Sequence, residues 1–183
     1  MEKYEDCEGV LKRYPFALEE NPSSMLLFAR VQKAQDKVEA VDSYARWLSI
    51  VTGTPNVLGR YEYAQVLETA GLYARALEQY EEALKALTQD RADLKKSTLM
   101  FGEARVLLIA DSENDKGIEG LTAAVAAGFA DTEALEALHG DERISGVHRE
   151  EIKRILDGIQ SKTSLAAVEE ETENTEENEE EGE

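Results

Sequence analysis

With a single cysteine, Cys7, the chain has no route to an internal disulfide and no companion thiol for a metal site. Cys7 reads as a small buried apolar residue rather than a reactive thiol. Only two histidines occur, His139 and His148; one Glu-x-x-His spacing, Glu136 to His139, has no second copy, and no His-Glu-x-x-His run exists. A helical metal site therefore has no ligand set, and both histidines read as surface or turn residues. No Gly-x-x-x-x-Gly-Lys loop and no Gly-x-Gly-x-x-Gly turn is present to cradle a phosphate, so no cofactor is expected. Asp111-Ser112-Glu113-Asn114-Asp115 lacks the central glycine and the final glutamate of a calcium loop, and reads as a polar turn. Nowhere do eighteen apolar residues run together, which excludes a helical membrane span. The start, Met1-Glu2-Lys3-Tyr4, has no basic stretch leading into an apolar one, so no secretory signal is read and a cytoplasmic location is expected.

Basic charge is scarce too. The 183 residues carry 20 Lys and Arg against 39 Asp and Glu, a formal charge of −19. Residues 169–183 hold ten glutamates and no basic residue, so −10 of that total lies there and −9 remains for the rest. A body this acidic lacks the basic footprint that nucleic acid binding requires, and it is repelled by an anionic membrane surface. Residues 169–183 also contain only Glu, Thr, Asn and Gly, with nothing apolar to offset the entropy of ordering. Residues 161–183 are thus expected to form a disordered acidic tail.

What the chain does have is helical periodicity. Over 54–87, Thr54 and Pro55 suit a helix start, Tyr61, Ala64 and Leu67 follow at helical spacing, and Gly71 provides a stop. Ala76, Leu77, Tyr80, Ala83, Leu84 and Leu87 then mark one apolar face, opposite Glu78, Glu81, Glu82 and Lys85. The unit is a helical hairpin. Two antiparallel helices approach closely only where small side chains face each other, with larger rings filling the spaces between. The spacing of Ala64, Gly71, Tyr73, Ala76, Tyr80 and Ala83 resembles the small and aromatic positions of a tetratricopeptide repeat (TPR). Arg60 stands where that family usually has a large apolar residue.

Neighbouring segments repeat the pattern. Asn21 suits a cap and Pro22 a first helical position, ahead of Met25, Phe28 and Ala29, and a partner helix carries Ala40, Tyr44 and Trp47. Ala40 to Ala76 and Tyr44 to Tyr80 are both 36 residues apart, so two positions report one period. Downstream, Met100, Ala104 and Leu107 resemble a first helix, from near Asp93 to Ala110, and Gly117, Leu121 and Ala124 a second. A stripe of Tyr4, Cys7, Leu11 and Tyr14, stopped by Pro15, reads as a leading cap. Ala127-Gly128-Phe129-Ala130-Asp131 and Asp141-Glu142-Arg143-Ile144 resemble the module that closes bacterial TPR arrays. A last helix, from about His148 to Ile159, turns Ile152, Ile155, Leu156 and Ile159 inward.

The resemblance implies an all-α fold: a right-handed superhelical TPR-like solenoid of about three hairpins with capping helices. Residues 1–160 form the helical domain, with a cap over 1–20, hairpins over about 21–53, 54–89 and 90–128, and a closing module over 129–160. It also implies a function. In such arrays the first helices line a concave groove that holds a peptide or helix of a partner protein. Carried onto this sequence, the groove presents Leu26, Arg30 and Lys33, then Tyr61, Gln65 and Glu68, then Phe101, Arg105 and Leu108. Arg30, Lys33, Tyr61, Gln65, Phe101 and Arg105 are the candidate contacts, although the cations read equally well as solvated surface charge. The family's clamp for a terminal carboxylate is not reproduced. The expected role is a non-enzymatic interaction scaffold with a protein partner, of undetermined oligomeric state. The alternative is an acidic chaperone shielding a basic or aggregation-prone client; an enzyme is the third reading.

Overall fold

The computed structural model describes residues 2–52, 56–111 and 115–161, and among them the chain is built from helices. Nine are α1 (Glu2–Lys12), α2 (Pro15–Glu20), α3 (Pro22–Lys33), α4 (Ala40–Ile50), α5 (Val57–Thr69), α6 (Tyr73–Ala86), α7 (Lys96–Ala110), α8 (Lys116–Ala126) and α9 (Thr132–His139). A further helix, α10, covers 146–161. The helices pair as α3/α4, α5/α6 and α7/α8, and each pair stacks on the next through α4/α5 and α6/α7. The three hairpins form a solenoid, with α1 and α2 against α3 at one end. At the other end, α9 and α10 share a core with α7 and α8 through Leu121, Leu135, Leu138 and Ile152.

Local chemistry explains the boundaries. The Asn21 side chain accepts hydrogen bonds from the Ser23 and Ser24 amides at 2.9 and 3.2 Å, satisfying donors the helix cannot. Asn56 does the same for Gly59 at 3.2 Å, so α5 begins at Val57. The expected Thr54–Pro55 start lies outside the described residues. Gly71, at φ +72°, lets the Leu72 amide reach back to the Leu67 carbonyl at 2.8 Å while its own amide bonds Glu68 at 2.9 Å. This paired closure needs a left-handed residue, which glycine adopts without steric cost. The third hairpin starts later than expected, at Lys96 rather than near Asp93. Asp90 caps it from a distance, its carboxylate accepting from the Lys96 amide at 2.7 Å, and Leu87 and Leu94 anchor the intervening segment in the core.

The repeat logic holds in the core. Ala40, Tyr44, Ala76, Tyr80 and Ala83 are all buried, as are Ala64 and Leu67 on the facing helix. Arg60 keeps its place in the hairpin by donating to the Gln79 amide oxygen at 2.7 Å.

Several expectations need correction. Pro15 does not end the leading helix. It opens a second short one at a position where its missing amide costs nothing. Of the leading stripe, Cys7 and Leu11 are half-buried, whereas Tyr4 and Tyr14 are exposed. The most deeply buried residue of α1 is Glu8, held by Lys12 at 2.8 Å and by Lys37 from the α3–α4 turn. His148 is not a surface residue. It is buried within α10, with Nε2 3.1 Å from Asp115 Oδ1. Ser161 is still helical, and 162–183 lie outside the described residues.

Candidate functional site

A cavity of about 860 Å³ lies on the inner side of the array. Its wall is made by the α3–α4 turn and the start of α4, the C-terminal half of α5, one face of α7, α9, and the turn that follows. Lys33, Gln65, Glu68 and Arg105 give it polar groups from three successive first helices; Val38, Val41, Val66, Ile109, Ala134 and Leu138 give it apolar surface. The far wall is set by Arg143, whose Nη1 donates to the Tyr73 hydroxyl at 3.0 Å across 70 residues of sequence. Asp141 fixes that arginine, accepting from its Nε at 2.9 Å and Nη2 at 2.5 Å, and the guanidinium holds the Asp141 carboxyl below its usual range. The Asp-x-Arg turn of the closing module thus completes one side of the cavity.

The first helices are joined by a polar ladder centred on α5. Arg30 Nε donates to Glu62 Oε2 at 2.7 Å, and Lys33 Nζ donates to Gln65 Oε1 at 2.6 Å. Arg105 grips Glu68 from the other side, with Nη2 to Oε2 and Nε to Oε1 both at 2.7 Å. Tyrosines of the second helices support the acids from behind. Tyr44 donates to Glu62 at 3.4 Å and Tyr80 to Glu68 at 3.3 Å. Burial, then the neighbouring glutamate, pushes both phenol pKa values well up, so each remains a hydrogen-bond donor at any physiological pH. Burial also lowers the Lys33 ammonium pKa and raises that of Tyr61.

Of the six candidate contacts, Lys33, Gln65 and Arg105 meet on the cavity wall. Arg30 lies on the same ladder but not on that wall. Tyr61 is half-buried with its ring edge-on to Tyr80, centroids 6.2 Å apart. Phe101 is 4% exposed, stacked on Phe129 at 4.1 Å and covered by the Arg105 guanidinium at 5.4 Å. It serves the core, as do Leu26 and Leu108. The expected strip of free cations is also altered: Arg30 and Arg105 are neutralised within the fold by Glu62 and Glu68.

Sequence reasoning missed Glu62, because a glutamate in so acidic a chain carries no signal of its own. It also missed the contribution of α9 and of the Asp141–Arg143 turn to the wall. Among the described residues, no group of three His, Cys, Asp or Glu side chains is placed to hold a metal ion, and no helix is long and apolar enough to cross a membrane.

No family model matches the chain, and no curated protein matches it in sequence. Its fold is similar to the crystal structure of MamA, a TPR-like protein, with a TM-score of 0.67 and 14% identity over 91% of this chain and 94% of that one. At that identity the likeness speaks for architecture alone, and the chain has the all-α, TPR-like solenoid fold.

Proposed function

We propose that residues 1–160 are a protein-interaction module, and that the cavity of the inner face receives a segment of a partner protein. One observation carries this reading: three first helices and the closing module converge on a single concave site whose wall alternates apolar side chains with fixed polar groups. Such a surface suits binding, since concave, mostly apolar sites with a few oriented polar groups are where ligands lodge. The ladder makes it rigid beforehand, which lowers the ordering cost of association. The reading assigns no catalysis, cofactor or metal to the chain, and no nucleic acid or membrane partner. Val38, 76% exposed at the lip, offers the first apolar contact.

The test uses a displayed library of random peptides about a dozen residues long, panned on the full chain. Ala137 is exposed on α9 and lines the cavity, so Ala137→Trp fills the site without entering the core. Selected peptides should bind the parent and lose at least tenfold on that substitution. Peptides whose affinity is unchanged would place the binding surface elsewhere.

A further inference from the structure

The charges of the cavity wall are not all paired. Four cations line it, Lys33, Lys37, Arg105 and Arg143. Lys37 is paired with Glu8, Arg105 with Glu68, and Arg143 with Asp141. Lys33 differs. Its ammonium donates to the neutral amide oxygen of Gln65, and among the described residues no carboxylate lies within ion-pair distance of it. Glu62 lies close enough to stabilise the charge, but Arg30 holds that carboxylate and opposes Lys33. Within the ladder Arg30 takes Glu62 and Arg105 takes Glu68, which leaves Lys33 without a carboxylate; Asp36, the other acid on its side of the wall, lies beyond ion-pair distance of it. A half-buried cation with one neutral acceptor has unfilled capacity, because an ammonium carries three donors and loses hydration on burial.

We propose that Lys33 is the specificity-determining residue of the groove, and that the bound partner segment carries one carboxylate side chain to pair with it. This rests on the groove reading above and names the chemistry of its occupant. The carboxylate meets an ammonium that Gln65 already positions, with two further protons left to donate. Charge-assisted hydrogen bonds are short and strong where water is thin. Apolar residues of the segment on either side meet Val38 and Val41 near Lys33 and Ile109 across the cavity. The charge also discriminates. The chain is strongly acidic, so acidic segments are repelled everywhere but here, and a segment with several carboxylates is disfavoured against one with a single, placed acid. The occupant is therefore a mainly apolar segment with one Asp or Glu, rather than an acidic run.

The experiment takes the peptides selected above that are sensitive to Ala137→Trp. Expected is a single acidic residue recurring at one register among them. Lys33→Gln in the protein, or acid to amide in the peptide, should each weaken binding at least tenfold. The two changes combined should weaken it no further, a coupling that marks a direct pair. Lys153→Gln, at an exposed position on α10 outside the cavity lining, should leave affinity within about twofold. Groove-dependent peptides that carry no recurring acid, or that ignore Lys33→Gln, would overturn this inference and leave the groove reading intact. Peptides that ignore Ala137→Trp would overturn the groove reading itself. Equal losses for Lys33→Gln and for a peptide change elsewhere in the sequence, without coupling, would also overturn the assignment.

Discussion

Tyr80 fills the space that a side chain on residue 102 would need: a Cβ built on Gly102 would lie 2.4 Å from Cε1 of the ring. The tyrosine is fully buried at the contact between the second hairpin and the third, so it has nowhere to retreat. Gly59 stands in the same relation to Trp47 between the first and second, with 2.6 Å to Cη2. Each interface between hairpins is thus closed by an aromatic ring of one second helix packed against a glycine of the next first helix. Gly102→Ala should destabilise by about 1–3 kcal/mol through overpacking, despite the gain in helix propensity that alanine brings. A lowered urea midpoint at unchanged slope is the expected result. A midpoint equal to or above that of the parent would mean the hairpins are not so closely seated.

Much of the middle of the molecule was legible because close helix approach leaves few residue choices. Ala76, Tyr80 and Ala83, and the copies at Ala40 and Tyr44, could be spaced as they are for no other economical reason. The third hairpin was harder. On α7, Leu99, Phe101, Val106 and Leu108 are all buried, so the helix is apolar on more than one side and periodicity does not say which side faces the groove. Phe101 was therefore placed on the surface although it is core. The candidate site was legible as a set of first-helix positions, but not as a charge balance. Which cation stays free depends on Glu62 and Glu68, and their partners lie 32 and 37 residues away on other helices.

Asp36 occupies the first-hairpin turn at φ +52°, the counterpart of Gly71 one repeat later. The same closure is present, with the Lys37 amide on the Gln32 carbonyl and the Asp36 amide on that of Lys33, both at 3.0 Å. A side chain in this left-handed region is strained, and aspartate tolerates it better than most. Asp36→Gly should therefore stabilise by about 0.5–1 kcal/mol, whereas Gly71→Ala should cost about 1 kcal/mol. Thermal melts of the two variants should move in opposite directions; a shared direction would contradict the equivalence of the turns.

Two glutamates give pH dependences of opposite sign. Hydrogen bonds from Lys12 and then Lys37 hold the Glu8 pKa below its ordinary value. The folded state thus binds its proton less readily than the unfolded, and the stability Glu8 contributes at neutral pH is lost as pH falls through the carboxylate range. Glu103 on α7 is half-buried, and burial, with Glu81 adding to it, raises its pKa. Here folding favours the proton, so Glu103 costs stability at neutral pH and the cost disappears on acidification. Glu8→Gln should lower the melting temperature at pH 7 and matter little near pH 3. Glu103→Gln should raise it at pH 7 and likewise converge near pH 3. Parallel shifts at both pH values would refute the assignment.

Charge reversal at the two paired arginines is expected to fail as a probe of binding, and the failure is informative. Each guanidinium sits against a carboxylate more buried than itself: Glu62 and Glu68 side chains are 18% and 13% exposed, against 38% and 29% for Arg30 and Arg105. Arg105→Glu would place two carboxylates together behind the Tyr80 ring, with no cation between them. Loss of one partner of a largely buried pair costs about 1–3 kcal/mol, and repulsion adds to it. The fold should suffer first, so a drop in affinity would report unfolding as much as a lost contact. The exchange Glu68→Arg with Arg105→Glu should recover a good part of that stability, since it restores an opposite pair at the same place. Calorimetry on the two single variants and the exchange forms a double-mutant cycle, and a coupling of more than about 1 kcal/mol is expected. Independent, additive effects would mean that Arg105 is solvated rather than held, and that a second free cation shares the cavity with Lys33.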